Sequence, residues 1–132
     1  MNSTHLVLHD PEGRLEGELP LDRAPHECLA KAVLGWTGDP GLQPADLQQI
    51  ALQLTGAARA AARDVRRAAD LLPNEHAARA LADVVLKETD HRLSVGLEGT
   101  VRSVQGRARL VRALYERLDR LAGVAPQAVA AL

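Results

Sequence analysis

A chain of 132 residues that is 46% apolar, with no Phe, one Trp, one Tyr and one Cys, can build one domain, but Leu, Val and Ala must fill its core. A formal net charge of -1 argues against a protein whose main task is to coat nucleic acid or a membrane surface, and a single cysteine excludes an internal disulfide and makes a reducing cytoplasm the default. No apolar run reaches the roughly 18 residues of a membrane span, and the opening MNSTHLVLHD lacks the basic and apolar regions of a secretory signal.

Taken in order, residues 1–21 come first as a short arm. Leu6 and Leu8 alternate with polar neighbours, Asp10-Pro11-Glu12-Gly13 has the residues of a tight turn, and Leu15 and Leu19 follow on the far side. The pattern suits a β-hairpin, which is marginal in water unless it docks, or a disordered arm. Its charge is acidic: Asp10, Glu12, Glu16 and Glu18 stand against Arg14. That arm could lie on a basic helix of its own or a partner chain, or both surfaces could simply be solvated.

Residues 22–123 read as a helical domain. Asp22 is placed to cap a first helix with Pro25 in its opening turn, running to about Trp36 with Leu29, Val33 and Trp36 at helical spacing. TGDPGLQP is then a loop. Pro44 and Asp46 suit the start of a second helix that holds its pattern to Leu72. Leu47, Ile50, Leu54, Ala58, Ala61, Val65 and Leu72 form its apolar stripe, and Gly56 is an interior weak point. Pro73-Asn74 breaks it, and Asn74 is the expected cap of a third helix from Glu75 to about Leu93. Its inward side is expected to carry Ala78, Leu81, Ala82, Val84 and Val85, which puts Glu88 among apolar neighbours with Arg92 following at i+4.

The last helix organises the rest. From Thr100 to Leu121, Val101, Val104, Ala108, Val111, Tyr115 and Leu118 make one apolar row, and Leu110, Leu114 and Leu121 make a second beside it. So wide an arc needs more than one neighbour, which makes this helix central to a bundle or shared with a second subunit. Six arginines accompany it against Glu116 and Asp119, and one of them, Arg107, lies within the arc, where it needs a carboxylate or a bound acidic group. Gly123 is placed to end the helix, leaving residues 124–132 as a flexible tail. The expected fold is mainly α: an N-terminal hairpin or arm, then about four helices, doubled into a homodimeric bundle.

Reactive motifs are scarce. Glu88-x-x-His91 has the spacing of di-iron helices but no second copy, and His26-Glu27-Cys28-Leu29-Ala30 has Ala30 where a zinc-protease motif needs histidine, so neither a metal nor another cofactor is expected. His26 and Glu27 near a helix start could line a pocket or act as acid and base, or merely cap and solvate the helix. Cys28 has no CxxC partner, and its position is compatible with ordinary burial. No GxSxG, Walker A or GxGxxG context occurs. Glu88, Arg92 and Arg107 are the informative charges: Glu88 with Arg107 could be a buried structural pair, or one arginine could hold a substrate carboxylate. Arg59, Arg63, Arg66 and Arg67, with Arg102, Arg109, Arg112 and Arg120, could touch phosphates, but without stacking aromatics nucleic acid is not the expected partner.

QQIALQLTGAARAAARDVRR (48–67), ARALADVVLKETDHRLS (78–94) and GTVRSVQGRARLVRALYERLDRL (99–121) together resemble a small natural-product-biosynthesis family of GC-rich bacteria. In size and layout the chain also resembles the lysinoalanine-forming enzymes of duramycin- and cinnamycin-type lanthipeptide pathways. That resemblance implies a small, mostly helical dimer on which a lysine amine of the precursor peptide adds to a dehydroalanine, a hydroxylated aspartate of the substrate taking the proton. Orientation alone can supply several kcal/mol to such a step. The side chains expected to wall and anchor the peptide are His26, Glu27 and Trp36 on the first helix and Glu88, Arg92, Arg107 and Tyr115 on the last two; a non-catalytic adaptor that docks a pathway protein is the alternative.

Overall fold

A computed structural model describes residues 23–131, and side chains through Val124. The described residues form four helices: α1 (Arg23–Leu34), α2 (Pro44–Asp70), α3 (Ala77–Leu93) and α4 (Val101–Ala131). The expected hairpin or arm of residues 1–21 and the Asp22 cap lie outside the described residues. α4 packs against all three other helices, most extensively against α2 and next against α1. The wide apolar arc of α4 therefore has its neighbours within the chain.

The core is aliphatic and built largely of small residues. α2 buries Leu47, Ala51, Leu54, Ala57, Ala58, Ala61, Val65 and Ala69, and α4 buries Val104, Ala108, Leu110, Val111, Leu114, Tyr115 and Leu121. Alanines let the helix axes approach closely, and each fully buried Leu or Val contributes about 1.5–3 kcal/mol of transfer free energy. The loop before α2 turns at Gly41, whose φ of +76° favours glycine, while Asp39 Oδ1 accepts from the Gly41 amide at 2.8 Å. Asp46 reaches back to the Gln43 amide at 3.3 Å at the start of α2.

Three helix C-termini are closed by side chains from other elements. Gln105 of α4 donates to the carbonyls of Val33 and Trp36 at 3.1 and 3.4 Å, where α1 ends. Arg79 of α3 donates to Leu72 O at 2.9 Å, just beyond α2, and Arg107 of α4 donates to Arg92 O and Val95 O, both at 2.9 Å, where α3 ends. Cations and donors suit these ends because the last carbonyls lack intrahelical partners and carry the negative pole of the dipole.

Three expectations are corrected. α3 begins at Ala77, capped by His76, whose Nδ1 accepts from Ala78 N at 3.0 Å, and not at Glu75 after an Asn74 cap. Its inward face carries Ala82, Thr89 and Leu93, with Ala78 and Val85 packed alongside, whereas Leu81 and Val84 are 44% and 62% exposed. Close approach to the Ala-rich α2 selects the small-residue side of α3, and Thr89 is admitted because its hydroxyl donates to Val85 O at 2.8 Å. Finally, α4 continues through Gly123 to Ala131. A helical glycine costs only about 1 kcal/mol relative to alanine, and Val124, packed on the core, holds the chain on line.

Candidate functional site

Pro25 in the first turn of α1 gives up an amide that has no helical partner anyway. From there His26, Ala30 and Val33 share one face, and α1 lies on α4 along it. His26 Nδ1 comes to 3.2 Å from the Tyr115 hydroxyl, which donates when Nδ1 carries no proton. Tyr115 is 3% exposed, held by the same α4 row as Ala108 and Val111.

Arg23 completes the cluster. Its guanidinium carbon sits 4.7 Å from the centre of the Tyr115 ring, its Nη2 donates to Asp119 Oδ2 at 2.8 Å, and its Nε donates to Glu27 Oε1 at 3.2 Å. The hydrogen bond from Arg23 holds the Asp119 carboxyl below its ordinary value, and the same bond raises the proton affinity of Arg23. Both partners are partly exposed, so the pair orients more than it stabilises. Arg23 thereby holds both Glu27 and Asp119 while its guanidinium lies over the Tyr115 ring.

Beyond Glu27 the same face opens into a cleft of about 460 Å³, lined by Glu27, Ala30, Lys31, Leu34, Gly35 and Arg112. Ala30 and Leu34 give it an apolar floor, while Glu27, Lys31 and Arg112 bring one anion and two cations to its edge. A volume of this order lies within the ~300–1,000 Å³ of ordinary ligand sites. The arrangement can bind, orient and neutralise a ligand carrying both charge signs.

The seven side chains expected at the site do not meet in one place. His26, Glu27 and Tyr115 belong to the α1–α4 cluster, and Trp36, half-buried, follows the cleft residue Gly35 with its carbonyl held by Gln105. Glu88 and Arg92 pair with each other instead, at 2.9 Å on the exposed side of α3, where the Arg92 hydrogen bond keeps the Glu88 carboxyl below its ordinary value. The expected Glu88–Arg107 pair is corrected: Arg107, 7% exposed, satisfies its guanidinium on the end of α3. Burial first, and Arg59 second, lower its hold on its proton. The reason is geometric, since Glu88 precedes the buried Thr89 by one residue and so points about 100° away from the core.

Sequence reasoning did not place Arg23, Lys31, Arg112 or Asp119 at this site. The i,i+4 spacing of Arg23 and Glu27 was a readable signal; the link from Arg23 to Asp119 spans 96 positions and had none. Cys28 is exposed rather than buried. Among the described residues, no group of three His, Cys, Asp or Glu comes together as a metal site requires, and no helix is long and apolar enough to cross a membrane. The chain matches no family model, no curated protein and no solved structure.

Proposed function

We propose that the protein binds a charged, modified peptide across the α1–α4 face and orients it for an intramolecular addition, the reading that the lanthipeptide resemblance makes most concrete. The observation that supports it is the cleft itself: an apolar floor with Glu27, held by Arg23, and Lys31 and Arg112 at its edge, beside a tyrosine whose ring and hydroxyl are both held. In this reading Glu27 receives the lysine ammonium of the peptide, and Arg112 and Lys31 receive its carboxylates, the hydroxylated aspartate among them. The lysine nitrogen forms a bond to the β-carbon of dehydroalanine, the aspartate removes its proton, and a proton returns to the α-carbon, so nothing leaves and no redox partner is needed. The protein works by proximity.

The protein would act in the cytoplasm as a homodimer, the second copy covering the exposed Leu81 and Val84 of α3. Incubation with a dehydrated, hydroxylated lanthipeptide precursor, followed by thiol labelling of the remaining dehydroalanine and mass spectrometry, tests the reaction. Accelerated loss of labelling that Arg112→Glu and Glu27→Lys each abolish is the expected result; a rate equal to that without protein refutes it. Binding is read separately from the fluorescence of Trp36, the one tryptophan, next to the cleft.

The same exposed Leu81 and Val84 also favour a second reading, a non-catalytic adaptor that docks a pathway protein on α3. There Leu81→Asp with Val84→Asp destroys the complex and the two cleft reversals leave it intact.

A further inference from the structure

A second hollow lies on the α2–α3 seam and belongs to none of the foregoing. α2 carries Arg59, Arg63, Arg66 and Arg67 within nine residues. Arg66 and Arg67 are balanced: Arg66 pairs with Asp83 across the seam and with Asp70 at 3.6 Å, and Arg67 pairs with Asp64. Arg59 and Arg63 have neither an ion pair nor a hydrogen bond among the described residues. Standing one helical turn apart, they repel each other. Arg59 also stands close enough to the buried Arg107 to disfavour its charge. Arg59 and Arg63 thus stand together on α2 without a carboxylate partner among the described residues, and the nearby Arg107 is spent on the carbonyls that end α3.

Arg59 and Arg63 border a groove of about 380 Å³ on the α2–α3 seam. Arg59, Arg63, Asp90 and the already paired Arg66 stand exposed on its edge, and Ala62, Leu86 and Leu93, half-buried or buried, form its base. A guanidinium presents parallel N–H donors that match the spacing of oxyanion oxygens, so two of them a turn apart can hold one such group from both sides. The apolar base then has no role toward a bare ion but does toward an attached hydrocarbon. Asp90 on the edge works against a polyanion such as a nucleic-acid backbone and suits a ligand with one anionic end.

We infer that the α2–α3 groove binds a small organic oxyanion, its phosphate or carboxylate gripped by Arg59 and Arg63 and its apolar body laid on Leu86 and Leu93. The site is independent of the α1–α4 cleft and stands whether or not a peptide binds there.

The experiment is an amide NMR titration of the full chain at constant ionic strength with phenyl phosphate, benzoate and inorganic phosphate. Expected are saturating shifts at Arg59, Ala62, Arg63 and Leu93, with one of the two aromatic anions binding at least about fivefold more tightly than inorganic phosphate. The tighter of the two identifies the head group. Arg59→Gln and Arg63→Gln each weaken that binding at least about tenfold, while the melting temperature of the unliganded protein holds or rises because a repulsion is removed. Shifts that do not saturate, or that the two variants leave unchanged, overturn the assignment. So does a lower melting temperature for Arg59→Gln, which would show that the arginine already serves a partner within the chain, such as the acidic residues of segment 1–21.

Discussion

Arg107→Met removes a guanidinium and keeps an apolar stem of similar length, so the change isolates the two bonds to the end of α3. Each bond from a charged donor contributes about 1.5–3 kcal/mol. The guanidinium is also held at a cost in lost hydration, which burial imposes on its charged form, and the carbonyls of the exposed residues Arg92 and Val95 can regain some water. The lower end of the range therefore applies to each, and the pair comes to about 3 kcal/mol. For a domain of this size that lowers the melting temperature by roughly 10 °C. Arg107→Lys should recover only part, because one ammonium cannot present the planar fork that spans both carbonyls. Arg92→Met is the control: it keeps the carbonyl but breaks only an exposed i,i+4 pair, which contributes little to stability. Urea unfolding followed by circular dichroism measures all three. If Arg107→Met costs no more than Arg92→Met, Arg107 is not a helix-end clamp and is available for a ligand after all.

Gly56 is exposed in the interior of α2, and an added Cβ would meet nothing within 4 Å; Gly56→Ala should stabilise the fold by about 1 kcal/mol in the same denaturation assay. Gly99→Ala should do the reverse, because its Cβ would stand 2.6 Å from Pro44 O, a carbonyl fixed in the first turn of α2; a loss of about 1–3 kcal/mol is expected in thermal melts. Asp119 binds its proton less readily when folded than its ordinary 3.8. Its share of stability is therefore complete above about pH 4 and fades as pH falls through the lower folded value. With Asp119 61% exposed the share is about 0.5 kcal/mol or less, and the gap between the wild type and Asp119→Asn should close as unfolding is repeated at falling pH.

The helices were legible where large aliphatics mark the buried side. Val104, Val111, Leu110 and Leu114 on α4, and Leu47, Leu54 and Val65 on α2, all lie where their spacing puts them. α3 was misread because its buried side is Ala82 and Thr89, which carry little weight in a hydrophobic pattern, while Leu81 and Val84 point outward. Arg107 was legible as a charge on an inward face but its partner was not, since the carbonyls of Arg92 and Val95 leave no trace in side-chain identity. For the α1–α4 cluster, His26, Glu27 and Tyr115 were named from their placement along the helices, and only the fold could bring Asp119 and Arg112 beside them.

Gln105, Arg79 and Arg107 each finish a helix other than their own. The ends of α1, α2 and α3 are closed in part by the amides that follow each helix and in part by a group that arrives only with a docked neighbour, so an isolated segment lacks part of its closure. Docking therefore tightens the last helical turns, and two of the three side-chain closures wait on α4. Peptides cut from single helices should fray at their C-terminal ends, and amide exchange in the intact chain should show those ends opening together with α4 in one cooperative unit.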